Sequence, residues 1–214
     1  MKIRIINGSQ KTGASNTGII LNELNYFLKK DSEIINYTLG IKQFSPEIYN
    51  EIASGDIIIF AFPLYTDSIP SNVLQMLIDL ENCLKKQAFK ETVIYTIINN
   101  GFYEGQQTHI AFEIMENWCL RSGTLFGGGI GQGAGEMIGA TKNTPLWKIL
   151  FGNLIRELKI IAKKIERKET FEIKYLSPNC PRFLWEFMAL HTFWHPLARK
   201  NKLTKKDILK TPIN

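Results

Sequence analysis

The amino-acid sequence predicts an α/β domain: a three-layer, doubly wound parallel sheet of five strands over residues 1–168, with an aromatic and basic extension at 169–214. Three observations carry this. Strand-like and helix-like segments alternate five times before the pattern changes after Lys168, which is the signature of a wound parallel sheet. The run Asp56–Phe62, D-I-I-I-F-A-F, is apolar without alternation, as a strand covered on both faces must be. Three of the loops that follow strands carry ligand-suited residues: hydroxyls in the first, an aromatic beside prolines in the second, amides and aromatics in the third. In such sheets ligands bind beyond the carboxyl ends of the strands.

The elements follow in order. Lys2–Asn7 is expected as the first strand, closed by Gly8. Ser15 or Asn16 caps a helix running to about Lys30, with Ile19, Ile20, Leu24, Phe27 and Leu28 on one face. Glu33–Thr38 reads as the second strand and Pro46–Ser54 as a short helix stopped by Gly55. After the Asp56–Phe62 strand, Pro70 opens a helix to about Lys86, with Val73, Leu74, Leu77, Ile78 and Leu84 expected inward. Thr92–Ile98 is the fourth strand, Gln106–Arg121 a helix, Thr124–Ile130 a glycine-rich fifth strand, and Pro145–Lys168 a long helix with a basic outer face. Beyond it lies P-R-F-L-W-E-F-M-A-L-H-T-F-W-H-P and then a lysine-rich end, too short for a second domain.

Composition bounds the function. A chain of 214 residues that is 44% hydrophobic and 21% charged has the balance of a globular protein. No apolar run approaches the roughly 20 residues that cross a bilayer. Met1-Lys2-Ile3-Arg4 passes straight into a strand without an apolar leader, so a cytoplasmic location is expected. Cys83, Cys119 and Cys180 are odd in number and far apart, which argues against a disulfide framework, a cysteine-held metal or an iron–sulfur cluster. They are expected to act as small buried hydrophobes. The net charge of +6 is uneven: residues 1–150 hold 12 Lys+Arg against 14 Asp+Glu, and residues 151–214 hold 14 against 6. A basic half suits nucleic acid or an anionic surface. A solvated helix face and basic tail is the plainer reading, and no nucleic-acid partner is expected.

The first loop, Gly8-Ser9-Gln10-Lys11-Thr12-Gly13-Ala14-Ser15-Asn16-Thr17, leads into a helix N-terminus. The first N–H groups of a helix lack partners and its dipole is positive there, so an anion is the natural guest. A P-loop would need G-x-x-x-x-G-K-[ST]; Gly8 and Gly13 have that spacing, but Ala14 stands in the lysine position. Triphosphate chemistry is therefore not expected, and a monophosphate is. The second loop, Pro63-Leu64-Tyr65-Thr66-Asp67-Ser68-Ile69-Pro70-Ser71, offers an aromatic and backbone groups near a proline turn. The third, Asn99-Asn100-Gly101-Phe102-Tyr103-Glu104-Gly105, offers two amides and two aromatics, which suit a polar-edged ring.

A further segment, Gly127-Gly128-Gly129-Ile130-Gly131-Gln132-Gly133-Ala134-Gly135, contains G-x-G-x-x-A. It comes late in the fold, with no helix evident after it and no ribose-binding acid in place. Close backbone approach to a cofactor, or a mobile cover loop, is expected ahead of a dinucleotide fingerprint.

The combination of G-S-Q-K-T-G-A-S-N-T, P-L-Y-T-D-S-I-P-S and N-N-G-F-Y-E resembles the flavodoxin-like NAD(P)H-dependent FMN reductases and related flavin oxidoreductases, over residues 1–168. The resemblance implies a flavodoxin-like five-stranded sheet with FMN at the strand ends. It implies that Ser9, Ser15, Asn16 and Thr17 hold the phosphate. Pro63, Leu64 and Tyr65 would border the ring, and Asn99, Asn100, Gly101 and Phe102 its other edge. It also implies an FMN-dependent oxidoreductase that passes a hydride from NADH or NADPH through bound FMN to a small acceptor such as a quinone, a nitro compound or a flavin.

In such chemistry the flavin does the difficult step and no side chain need serve as nucleophile or acid–base pair, so no catalytic residue is assigned. His109 is expected to be a surface or packing histidine. His191 and His195 have i, i+4 spacing without a third ligand, and no metal site is expected. The alternative is a flavodoxin-type electron-transfer protein that binds FMN and docks redox partners without a substrate. Phe183, Trp185, Phe187, Met188, Phe193 and Trp194 in the extension are expected to serve packing or a homodimer interface, ahead of membrane contact.

Overall fold

The computed structural model describes residues 1–11, 13–28, 31–86 and 91–210. The expected helix end at Lys30 and Thr12 of the first loop lie outside them. The described residues form two compact units, one up to Pro178 and the other from Asn179 onward.

In the first unit six parallel strands lie in the order β2-β1-β3-β4-β5-β6: β1 Lys2–Asn7, β2 Glu33–Thr38, β3 Ile57–Pro63, β4 Val93–Asn99, β5 Leu125–Gln132 and β6 Lys174–Leu176. The helices are α1 Asn16–Phe27, α2 Pro46–Ala53, α3 Ser71–Lys85, α4 His109–Ser122, α5 Gly135–Thr141 and α6 Leu146–Glu166. The predicted doubly wound sheet is present with one strand added. Helices α2, α3 and α4 pack side by side in one layer, and α1, α5 and α6 in the other. Ile58, Phe60 and Phe62 of β3 join Val73, Met76, Leu77 and Trp118 in a buried cluster, and the alternate residues Ile57, Ile59 and Ala61 are equally buried. Both faces of β3 are thus covered, which is why its sequence never alternates.

The strand order reverses between β1 and β3. The loops leaving these two strands diverge, and a crevice opens between them.

Four local readings are corrected. First, Lys174–Leu176, within the expected extension, pairs with Ile130–Gln132 of β5 as the edge strand β6, so the first unit runs past Lys168 to Pro178. Second, Leu74 and Ile78 of α3 are 45% and 51% exposed, and Met76 and Leu80 take the inward places; the buried stripe is offset from the expected one. Third, a single turn of 3-10 helix, Gly105–Thr108, precedes α4.

Fourth, the glycines of β5 admit protein rather than ligand. Between Ile94 and Tyr95 the β4–β5 register slips by one, leaving Gly127 as a bulge. A Cβ on Gly127 would stand 2.3 Å from the Tyr95 ring, on Gly129 2.4 Å from Phe112, and on Gly131 2.2 Å from Thr108 Oγ1. The strand is glycine-rich because large neighbours press on it from both faces. The helix α5 also opens directly after it, on Ala134 in the left-handed region (φ 54°).

The second unit carries α7 Arg182–Met188, a wider-wound turn Ala189–Trp194, α8 His195–Lys200 and a short 3-10 turn at Asp207–Leu209.

Candidate functional site

The loop after β1 is held rigidly before it reaches α1. Gly8 N–H donates to the Ala61 carbonyl (2.7 Å) and Ser9 N–H to Asn7 Oδ1 (3.0 Å). Asn72 at the start of α3 donates to the carbonyls of Gly40 (3.1 Å) and Gly8 (3.4 Å) and accepts from Gln10 (3.1 Å). Ser15 is the N-cap of α1 in extended geometry, its Oγ accepting from Gly18 N–H at 3.0 Å. That bond uses the oxygen and leaves the hydroxyl hydrogen to be donated elsewhere.

The loop after β3 closes in a two-residue turn. Tyr65 and Ser68 exchange both backbone hydrogen bonds at 3.1 Å, and Thr66 and Asp67 between them have φ of 48° and 60°. Two successive positive φ values make a type I′ turn, which holds Tyr65 at the rim, 41% exposed.

The loop after β4 is tied to its neighbours on either side. Leu64 N–H donates to the Asn99 carbonyl (2.8 Å), and Asn100 N–H to the Gln132 carbonyl (2.9 Å). The Asn100 side chain folds its own loop, donating to the Glu104 carbonyl (3.1 Å) and accepting from Phe102 N–H (2.8 Å). Thr17 Oγ1 donates to Asn99 Oδ1 at 2.8 Å, joining the first loop to the third. The short helix α5 covers the far side: Gly139 N–H donates to Asn16 Oδ1 (3.0 Å), and Lys142 pairs with Glu23 of α1.

These loops enclose an open cleft of about 220 Å³ lined by Ser9, Lys11, Ser15, Asn16, Thr17, Pro63, Leu64, Tyr65, Asn99, Asn100, Gly101 and Glu136. Ten of the eleven residues expected from the sequence line it. Phe102 does not: its N–H is held by Asn100 and its carbonyl by Ala134 N–H (2.5 Å), and the ring is 47% exposed outside the cleft. Thr17 contributes differently than expected, since its hydroxyl hydrogen goes to Asn99.

Lys11 and Glu136 also line it, outside the set assigned from the sequence. They are the cation and the acid of the lining. Glu136 lies in the first turn of α5, a helix the glycine-rich sequence hides. Lys11 stands in the first loop, beside the residues assigned there. His109 caps no part of the cleft; it is exposed, its ring nitrogen 3.1 Å from the Gln106 carbonyl. His191 and His195 lie ring to ring at 5.0 Å in the second unit.

No protein-family model matches the sequence, and no curated protein matches it. Solved structures do. An NADPH-quinone reductase from P. pentosaceus superposes with a TM-score of 0.57 at 12% identity, over 76% of this chain and 98% of the other. The apo form of an NADH:FMN oxidoreductase gives 0.57 at 12% identity over 79% and 90%. A flavodoxin from Streptococcus pneumoniae gives 0.53 at 13% identity over 78% and 99%. The fold is flavodoxin-like. At these identities the likeness is one of architecture, and the cleft at the strand reversal is where a flavodoxin-like sheet presents its loops.

Proposed function

We propose that the flavodoxin-like unit binds FMN in this cleft and is an oxidoreductase that takes a hydride from NADH or NADPH and delivers it to a small acceptor. The observation that carries the reading is the division of the cleft into two chemically different ends. One end has the Ser9 and Ser15 hydroxyls, the N-terminus of α1 and Lys11, a donor set suited to a phosphate dianion. The other has Pro63, Leu64 and Tyr65 opposite Asn99, Asn100 and Gly101, an apolar wall facing amide and backbone groups, as a flat ring with a polar edge requires. When bound, FMN supplies the two-electron redox chemistry.

The chain's own residues do the rest. Ser9, Ser15 and Lys11 fix the anionic end, and Thr17 holds the Asn99 amide in place. The Tyr65 turn and the Asn100 loop set the two walls and leave one side open to solvent for a second substrate. In this reading the protein acts in the cytoplasm, and light scattering on the intact chain checks the homodimer expected for it. The structural neighbours named as NADPH-quinone reductase and NADH:FMN oxidoreductase support the reading by kind.

The test is spectroscopic. The chain is mixed with FMN, desalted, and given NADH or NADPH without oxygen. Retained flavin bands that bleach within seconds are expected. Retained bands that stay coloured would favour the electron-carrier alternative, and loss of flavin on desalting would overturn the reading.

A further inference from the structure

The second unit presents an apolar row that stays largely exposed, with the His191 ring stacked on Phe187 at 4.1 Å and Phe193 edge-on to Trp194. Phe183, Phe187, Leu190, Trp194 and Leu197 follow one another at spacings of four and three, which puts them on one side of a helix. They are 72%, 56%, 42%, 49% and 41% exposed. Within the row, Pro196 has no N–H for the Thr192 carbonyl, and the chain widens over Ala189–Trp194. Phe193 is 51% exposed there as well. The row spans about 20 Å at 1.5 Å per residue, too short to cross a bilayer.

Charge decides what covers it. Residues 179–214 hold seven Lys and Arg against two acids. Both acids are paired within the unit, Glu186 with Arg182 (3.0 Å) and Asp207 with Lys210 (2.5 Å). Arg199, Lys200, Lys202, Lys205 and Lys206 follow the row directly and are all exposed. A second copy of the same unit would bring like charges together, with no acidic side chains to oppose these cations. A surface that is both apolar beneath and negative above satisfies the row and the cations at once.

We propose that residues 182–206 dock on the face of an anionic phospholipid bilayer. The aromatic row lies at the acyl boundary and the lysines among the headgroup phosphates. The helix lies along the surface and does not cross it. This inference rests on the second unit alone and stands or falls independently of the FMN reading.

The test is sedimentation of the full chain with sucrose-loaded vesicles. Phosphatidylcholine vesicles with and without 30% phosphatidylglycerol are compared in low and moderate salt. Binding to the anionic vesicles only is expected, falling several-fold as salt rises, with a blue shift of tryptophan emission. F187E/W194E abolishes it, and K200E/K202E/K205E/K206E weakens it at least tenfold, both variants keeping wild-type circular dichroism. Absence of binding overturns the proposal, as does equal binding to neutral vesicles. Absence of vesicle binding together with a dimer that F187E converts to monomer overturns it in favour of a second copy as the occupant.

Discussion

The hydroxyl of Thr17 donates to the side-chain oxygen of Asn99 at 2.8 Å, across 82 residues of sequence. Asn99 is 5% exposed and Thr17 1%. Removing the hydroxyl strands a buried amide oxygen, at a cost of about 1–3 kcal/mol. Thr17→Val is therefore expected to lower the unfolding free energy by that amount and to weaken FMN retention several-fold, whereas Thr17→Ser keeps both near wild type. Urea titration and flavin fluorescence read the two effects. Equal behaviour of the two variants would show that the bond does not order the cleft.

The phosphate end can be isolated by comparing FMN with riboflavin. Lys11→Ala should weaken FMN binding roughly threefold to tenfold, an electrostatic loss of about 1 kcal/mol, and leave riboflavin unchanged. Ser15→Ala removes the α1 cap as well, so about 1 kcal/mol of stability should go with it. Calorimetric titration with each ligand checks this. A loss of the same size for riboflavin would move Lys11 away from the phosphate.

The turn at Thr66–Asp67 holds two non-glycine residues at positive φ, and for a β-branched threonine that conformation is costly. Thr66→Asn with Asp67→Gly gives the pair type I′ turns favour. The double variant should be more stable by about 0.5–1 kcal/mol, seen as a higher melting temperature with the same near-ultraviolet spectrum.

Burial pushes the Cys119 thiol and the Tyr95 hydroxyl up to about 12, with the charge of Glu169 adding to the Tyr95 shift. The unfolded chain releases these protons near pH 9 and 10, while the folded chain keeps them. Above about pH 9 the folded state binds more protons than the unfolded state, so stability falls as pH rises. The melting temperature should be level near pH 8 and decline towards pH 11, and Cys119→Ala should soften the first part of the decline. A level profile to pH 11 would contradict the shifts. Cys119 should likewise resist iodoacetamide at pH 8 unless the chain is unfolded.

How far the sequence reaches is best seen in β3 and β5. The uninterrupted Ile57–Phe62 run could belong to little else than a covered parallel strand, and the strand-end loops were legible through the hydroxyls of the first, Tyr65 beside the prolines of the second and the amides of the third. The glycines of β5 were not, because a missing side chain says only that something is close. Here it is Tyr95, Phe112 and Thr108, residues brought near by the sheet. The same glycines hid α5 and, with it, Glu136. The three-residue β6 is set by pairing to Ile130–Gln132 rather than by its own pattern. Leu74 and Ile78 look inward on spacing alone; the neighbours of α3 decide which side is buried.

Asn16 stands at the first residue of α1 and takes a hydrogen bond from Gly139, and Glu23 of the same helix meets Lys142. The far wall of the cleft is therefore supplied by chain made long after its near wall. During synthesis the first three loops emerge and fold against one another while the place for α5 is still vacant. A nascent chain that stops before residue 135 has most of the lining and the Thr17–Asn99 bond, but lacks Glu136 and the Gly139–Asn16 bond. The cleft is thus completed late, its last wall arriving only after the loops that follow β1, β3 and β4 are in place.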